Sequence, residues 1–106
     1  MNITSTQHGD TTVLRLNGDL DTASSPVTGE ALDAALDAGA GALLVNLSEV
    51  GFVSSAGLRV LLAAAKRLPQ PLKVCGLNET VHEVFEISGF STIFDVYAGE
   101  DEALNS

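Results

Sequence analysis

Apolar positions recur along this chain with two alternating periods, and the alternation predicts the fold. Thr12-Val13-Leu14-Arg15-Leu16 has the β-branched and apolar content of a strand. A weaker strand around Ile3 precedes it, with His8-Gly9-Asp10 as the turn between them. Ser25 then reads as a helix N-cap, followed by Pro26 in the first helical turn. Val27, Ala31, Leu32, Ala35 and Leu36 carry that helix to a stop at Gly39 and Gly41. Ala42-Leu43-Leu44-Val45-Asn46-Leu47 is nearly continuous in apolar residues, as a strand covered on both faces requires. Leu58, Leu61, Leu62 and Ala65 fall on one helical stripe that ends before Pro69 and Pro71. Leu72 to Gly76 reads as a strand. Thr80 and Glu83 then form a capping box for a helix whose apolar face is Val81, Val84 and Phe85 and whose stop is Gly89. Ile93-Phe94-Asp95-Val96 predicts a last strand, and Glu100 to Leu104 a short acidic helix.

Strands alternating with helices give a single α/β domain over residues 1–106, with a mixed, mostly parallel sheet of about four to five strands. The two N-terminal strands, joined by a tight turn, pair antiparallel at an edge. Periodicity leaves open which sheet face the helices cover.

Composition narrows the function classes. The chain has 106 residues, 45% of them hydrophobic, enough for one core. No apolar run approaches the roughly 18–20 residues of a membrane span, and Met1 to Ser5 lacks the basic and apolar regions of a signal peptide. A soluble, cytoplasmic protein is expected. A net charge of −9 argues against nucleic acid and anionic membrane surfaces as partners. Four of the five basic residues (Arg59, Lys66, Arg67, Lys73) follow the serine pair described next. They form either a solvated helix face or a basic surface for an acidic partner. Cys75 is the only cysteine, so it reads as a buried structural thiol. His8 and His82 are isolated. No Gly-x-Ser-x-Gly elbow or phosphate-cradling Gly-x-x-x-x-Gly-Lys loop is present, so no enzyme, cofactor or metal is expected.

The chemistry concentrates in Ser54-Ser55, placed between a buried strand and an amphipathic helix. Small polar residues there commonly serve as N-caps, each worth about 1 kcal/mol. A helix N-terminus is also a seat for phosphate, because unpaired N–H groups and the positive end of the dipole converge on it. Gly18-Asp19-Leu20-Asp21-Thr22 is the second feature. It is either a polar loop suited to a turn or a functional acidic loop. Its carboxylates are too few for a metal site.

The stretch from Leu44 to Leu62 resembles the signature of the STAS domain, and within it the bacterial anti-sigma factor antagonists. Their pattern of aromatic, hydrophobic, Asp, Ser, Ser or Thr, Gly and Leu falls on Phe52, Val53, Ser54, Ser55, Ala56, Gly57 and Leu58. Ser54 stands where an aspartate is usual and Ala56 where a second hydroxyl is common, so Ser54 is a second candidate acceptor. The resemblance implies helices mainly on one sheet face and Ser55 as the phosphoacceptor. It implies a partner-binding surface of Asp19, Asp21, Thr22, Ser54, Ala56, Gly57 and Arg59. The implied partners are an anti-sigma factor that is itself a serine kinase and a metal-dependent serine phosphatase. Partner switching by a free monomer is the expected mode of action. The alternative is a STAS binding module of a transport or signalling complex, without phosphorylation.

Overall fold

A computed structural model describes all 106 residues. One five-stranded sheet runs in the order β1 (Asn2–His8), β2 (Thr11–Asn17), β3 (Ala42–Glu49), β4 (Lys73–Cys75), β5 (Asp95–Tyr97). β1 pairs antiparallel with β2 across the turn at Gly9 and Asp10, and the remaining neighbours are parallel. Each parallel step needs a crossover, which α1 (Ser25–Asp37), α2 (Ser55–Lys66) and α3 (Glu79–Ile87) supply.

Side-chain alternation along β3 divides the sheet into two faces. Leu43, Val45 and Leu47 enter the main core with Leu32 of α1, Leu58 and Leu61 of α2, and Val81 and Phe85 of α3. Leu44 points the other way and packs with Val13, Cys75 and Ala103. That smaller cluster is roofed by a fourth helix, α4 (Glu100–Leu104). The apolar run of β3 thus reflects burial on both faces, with three helices on one side and one on the other. Cys75 is fully buried, and burial pushes its thiol up to about 11.

Four details differ from the sequence expectation. The first helix is not capped by Ser25, which is already helical and whose hydroxyl donates to the Asp21 carbonyl. Val27, expected in the core, is 43% exposed. α3 starts one residue before Thr80, and its cap is Asn78, whose Oδ1 accepts from Val81 N at 2.7 Å. The Thr80–Glu83 capping box does not form. The last strand begins at Asp95 because Gly89, at φ +75°, leads into a 3-10 turn over Phe90–Thr92. That turn folds Phe94 inward against Phe85 and Phe90, with ring centroids 5.6 Å apart in both pairs. Aromatic packing therefore claims a residue that β-propensity assigned to a strand.

Candidate functional site

The serine pair sits where β3 hands the chain to α2, at the carboxyl ends of the parallel strands. Ser54 is the N-cap in extended conformation, and its Oγ accepts from Gly57 N at 3.2 Å. Ser55 is the first helical residue and its side chain faces solvent. The two hydroxyls therefore differ in kind: Ser54 is engaged with the helix, and Ser55 is free at the positive end of its dipole. The N–H groups of Ser55 and Ala56 precede the first intrahelical bond, so they lack helical acceptors.

The acidic loop is bound to this segment by backbone. Leu20 N donates to Phe52 O at 2.9 Å, and Ser54 N donates to Leu20 O at 2.8 Å, forming a short parallel bridge between Leu20 and Val53. Leu20 is fully buried. Its close approach explains Gly57: a Cβ there would lie 2.6 Å from Leu20 Cγ and 2.8 Å from its carbonyl oxygen. Asp19 lies against Gly51, where a Cβ would come within 3.1 Å of its Oδ1.

Asp21 is turned back into its own loop. Its Oδ1 accepts from Ser24 N at 2.9 Å, and this bond, helped by the Ser24 hydroxyl, holds the carboxyl below the usual range. The fold thus gathers Asp19, Asp21, Ser54, Ser55, Ala56 and Gly57 on one platform. Thr22 is exposed on the same loop, and Arg59 is exposed one turn into α2.

Two of the other basic residues are engaged elsewhere. Arg67 pairs with Asp33 and Asp37 of α1 at 3.1 and 2.7 Å. Lys73 lies on the opposite sheet face, donating to Ala103 O and Ser106 Oγ. Arg67 and Lys73 are thus drawn away from Arg59, whereas Lys66, exposed two turns further along α2, keeps to the Arg59 face. Arg59 forms no ion pair.

Two contributors lie outside the expected binding surface, although Phe52 already matched the aromatic position of the family signature. Phe52 is 45% exposed beside the platform, an apolar side chain in a polar loop. Asn78 ties α3 to the same loop, with Nδ2 3.3 Å from both Val50 O and Gly51 O. Its signal was available, as an Asn before an acidic first turn is a strong N-cap. No group of three or more His, Cys, Asp or Glu residues could hold a metal ion, and no helix is long and apolar enough to cross a membrane.

Known proteins share the family and the fold over nearly the whole chain. Residues 2–103 match the STAS domain family. A Bordetella bronchiseptica protein provisionally named anti-sigma factor antagonist BtrV is 40% identical over 91 residues, 83% of this chain and 78% of that protein. The anti-sigma F factor antagonist of Paenibacillus polymyxa is 30% identical over 101 residues, 92% of this chain and 86% of that one. The Bacillus protein SpoIIAA has the same fold. Its unphosphorylated form has TM-score 0.83 at 24% identity, covering 98% of this chain and 94% of that one. Its phosphorylated form has TM-score 0.75 at 23% identity, covering 98% and 97%. The chain belongs to the STAS domain family.

Proposed function

We propose that this STAS domain is an anti-sigma factor antagonist whose binding is ended by phosphorylation of Ser55. The observation that carries the proposal is the contrast between the two hydroxyls: Ser54 Oγ is committed to Gly57 N, whereas Ser55 is exposed at the helix start. The names of the Bordetella and Paenibacillus relatives support the antagonist role.

In this reading the partner is an anti-sigma factor that is also an ATP-dependent serine kinase. Unphosphorylated, the platform of Asp19, Asp21, Thr22, Ser54, Ala56, Gly57 and Arg59 packs on it, with Phe52 as an apolar anchor. The kinase passes the γ-phosphoryl group of ATP to Ser55 Oγ. The serine proton leaves to a base on the kinase, and ADP is released. The modified serine carries a charge near −2, which the α2 dipole tolerates. Arg59, four residues on, leans back towards Ser55 and pairs with the phosphate. Asp19 and Asp21 repel it. The platform keeps its backbone, because the Leu20–Val53 bridge does not involve the Ser55 side chain. What changes is the surface offered: a charged group now stands where the partner packed on a hydroxyl. Burying it unpaired costs several kcal/mol, and each 1.4 kcal/mol is tenfold in affinity. A metal-dependent serine phosphatase restores the hydroxyl. The protein acts by binding, in the cytoplasm, and catalyses nothing itself.

The test is incubation with the cognate kinase and ATP, followed by mass-spectrometric location of the phosphate. Phosphate on Ser55, abolished by Ser55→Ala and retained by Ser54→Ala, is the expected result. Phosphate on Ser54 would move the switch to the capping hydroxyl. No phosphate from an active kinase would leave a constitutive STAS binding module.

A further inference from the structure

The back face of the sheet carries a polar relay that the reading above does not use. Glu100, the first residue of α4, accepts from Arg15 Nε at 2.6 Å and from Arg15 Nη2 at 2.7 Å. Its Oε2 also accepts from Asn46 Nδ2. Asn46 in turn uses its Oδ1 to accept from Ser48 N at 2.9 Å.

That last bond falls at a defect in the sheet. β2 and β3 are in register up to Arg15 opposite Asn46, but the next pair is Asn17 opposite Glu49. β3 therefore carries one extra residue, a bulge over Leu47 and Ser48. A bulge removes a ladder partner, and the Asn46 side chain supplies a replacement. From the other side Gly76 presses on it, where a Cβ would lie 2.8 Å from Ser48 Cβ. The segment leaving this bulge runs through Glu49, Val50 and Gly51 to Phe52 and the serine pair.

α4 owes its helical form to its docking, because five residues are too few for a helix in water. Its hold consists of Glu100 at one end, the fully buried Ala103 over Val13, Leu44 and Cys75, and Lys73 Nζ bonded to Ala103 O at 3.0 Å.

We propose that α4 is a releasable strap and that Glu100, acting through Asn46, is a positioning residue for the segment bearing Ser54 and Ser55. With the strap docked, Asn46 is held by its amide and the bulge is fixed. With the strap released, Asn46 loses its acceptor, the bulge loosens, and Cys75 is uncovered in the same event. The coupling concerns this chain alone, and only its bearing on the acceptor serine rests on the phosphorylation reading.

The test needs no partner. Backbone amide exchange is measured at Ser48 to Ser55 alongside the rate of Cys75 alkylation, in denaturant well below the global unfolding midpoint. The chains compared are wild type, Glu100→Ala and Asn46→Ala. Glu100→Ala raises both rates about tenfold, the scale of a lost charge-assisted hydrogen bond. Asn46→Ala leaves the Arg15–Glu100 pair in place, so it raises amide exchange while alkylation stays near wild type. Faster alkylation of Glu100→Ala with unchanged exchange would overturn the coupling. If both rates merely followed the global unfolding midpoint in every variant, the strap would be overturned too. Either failure would leave the phosphoacceptor reading untouched, and absence of phosphate on Ser55 would leave the relay untouched.

Discussion

Ser54 and Ser55 are adjacent and chemically alike, yet their environments separate them, and two substitutions measure the difference. Ser54→Ala removes the cap of α2 and is expected to destabilise the domain by about 1 kcal/mol in denaturant titration. Ser55→Ala touches no hydrogen bond and is expected to change stability by less than about 0.5 kcal/mol, while abolishing phosphate uptake. Gly57 is a third residue-scale case. Its φ is unremarkable, so glycine is required there by space alone: Gly57→Ala drives a methyl into Leu20 Cγ and the Leu20 carbonyl. Overpacking of this kind costs about 1–3 kcal/mol, and here it also pries apart the Leu20–Val53 bridge. A lowered denaturant midpoint with weakened partner binding is the expected result. The glycine was visible in the chain, but its reason was not, because Leu20 and Gly57 meet only through the fold.

Among the elements, α4 is the one whose attachment depends most on charge. The Arg15 guanidinium, and Asn46 after it, hold the Glu100 carboxyl below its usual range despite partial burial. His8 and Cys75 also interact with it electrostatically, and Asp101 and Glu102 line the same recess. A depressed carboxylate stabilises the folded state above its unfolded pKa, and that contribution is lost as pH falls through the folded value. The Glu100 contribution to α4 docking is therefore full at neutral pH and fades in acid, below the ordinary carboxylate range of about 4, leaving α4 held by Ala103 and Lys73 alone. Alkylation of Cys75 during a descending pH series, with rates corrected for thiolate fraction, checks this. Acceleration should begin before the far-ultraviolet signal collapses, whereas coincidence of the two would mean α4 has no separate transition. α1, α2 and α3 were legible from period and punctuation because their faces are amphipathic. The last strand and the α3 cap were misjudged for opposite reasons. Phe94 is drawn into an aromatic cluster that no local rule contains, and the Asn78 signal was outcompeted by a plausible capping box two residues on.

Over the whole molecule, phosphorylation is expected to act without refolding. The phosphoprotein should keep the thermal midpoint of the unmodified chain, because the added charge sits at a helix N-terminus on a platform fixed by backbone bonds. Its affinity for the anti-sigma partner should fall by about a hundredfold or more, the consequence of burying an unpaired phosphate. Calorimetric titration of both forms checks the second statement, and thermal scans check the first. Arg59→Ala separates local pairing from global effects: it should lower the midpoint of the phosphoprotein and leave the unmodified chain unchanged. An equal shift in both forms would remove Arg59 from the phosphate site.

Order of elements, the mostly parallel sheet, the antiparallel N-terminal edge and the serine pair at a helix start all follow from local pattern. Hydrophobic period and turn chemistry are properties of neighbouring residues, so they can be read along the chain. The family resemblance rested on the same contiguous stretch, Leu44 to Leu62. Contacts between residues far apart in sequence are a different matter. The bridge of Leu20 to Val53, the dispersal of Arg67 and Lys73 away from Arg59, and the relay from Glu100 through Asn46 to Ser48 each join segments 30 or more residues apart, save its last step. Each depends on strand order and register, which place side chains on one face or the other only once the sheet has formed. Sequence pattern therefore located the serine pair, and the local cap of α2 separates its two hydroxyls, whereas tertiary packing alone decided what holds the loop around them.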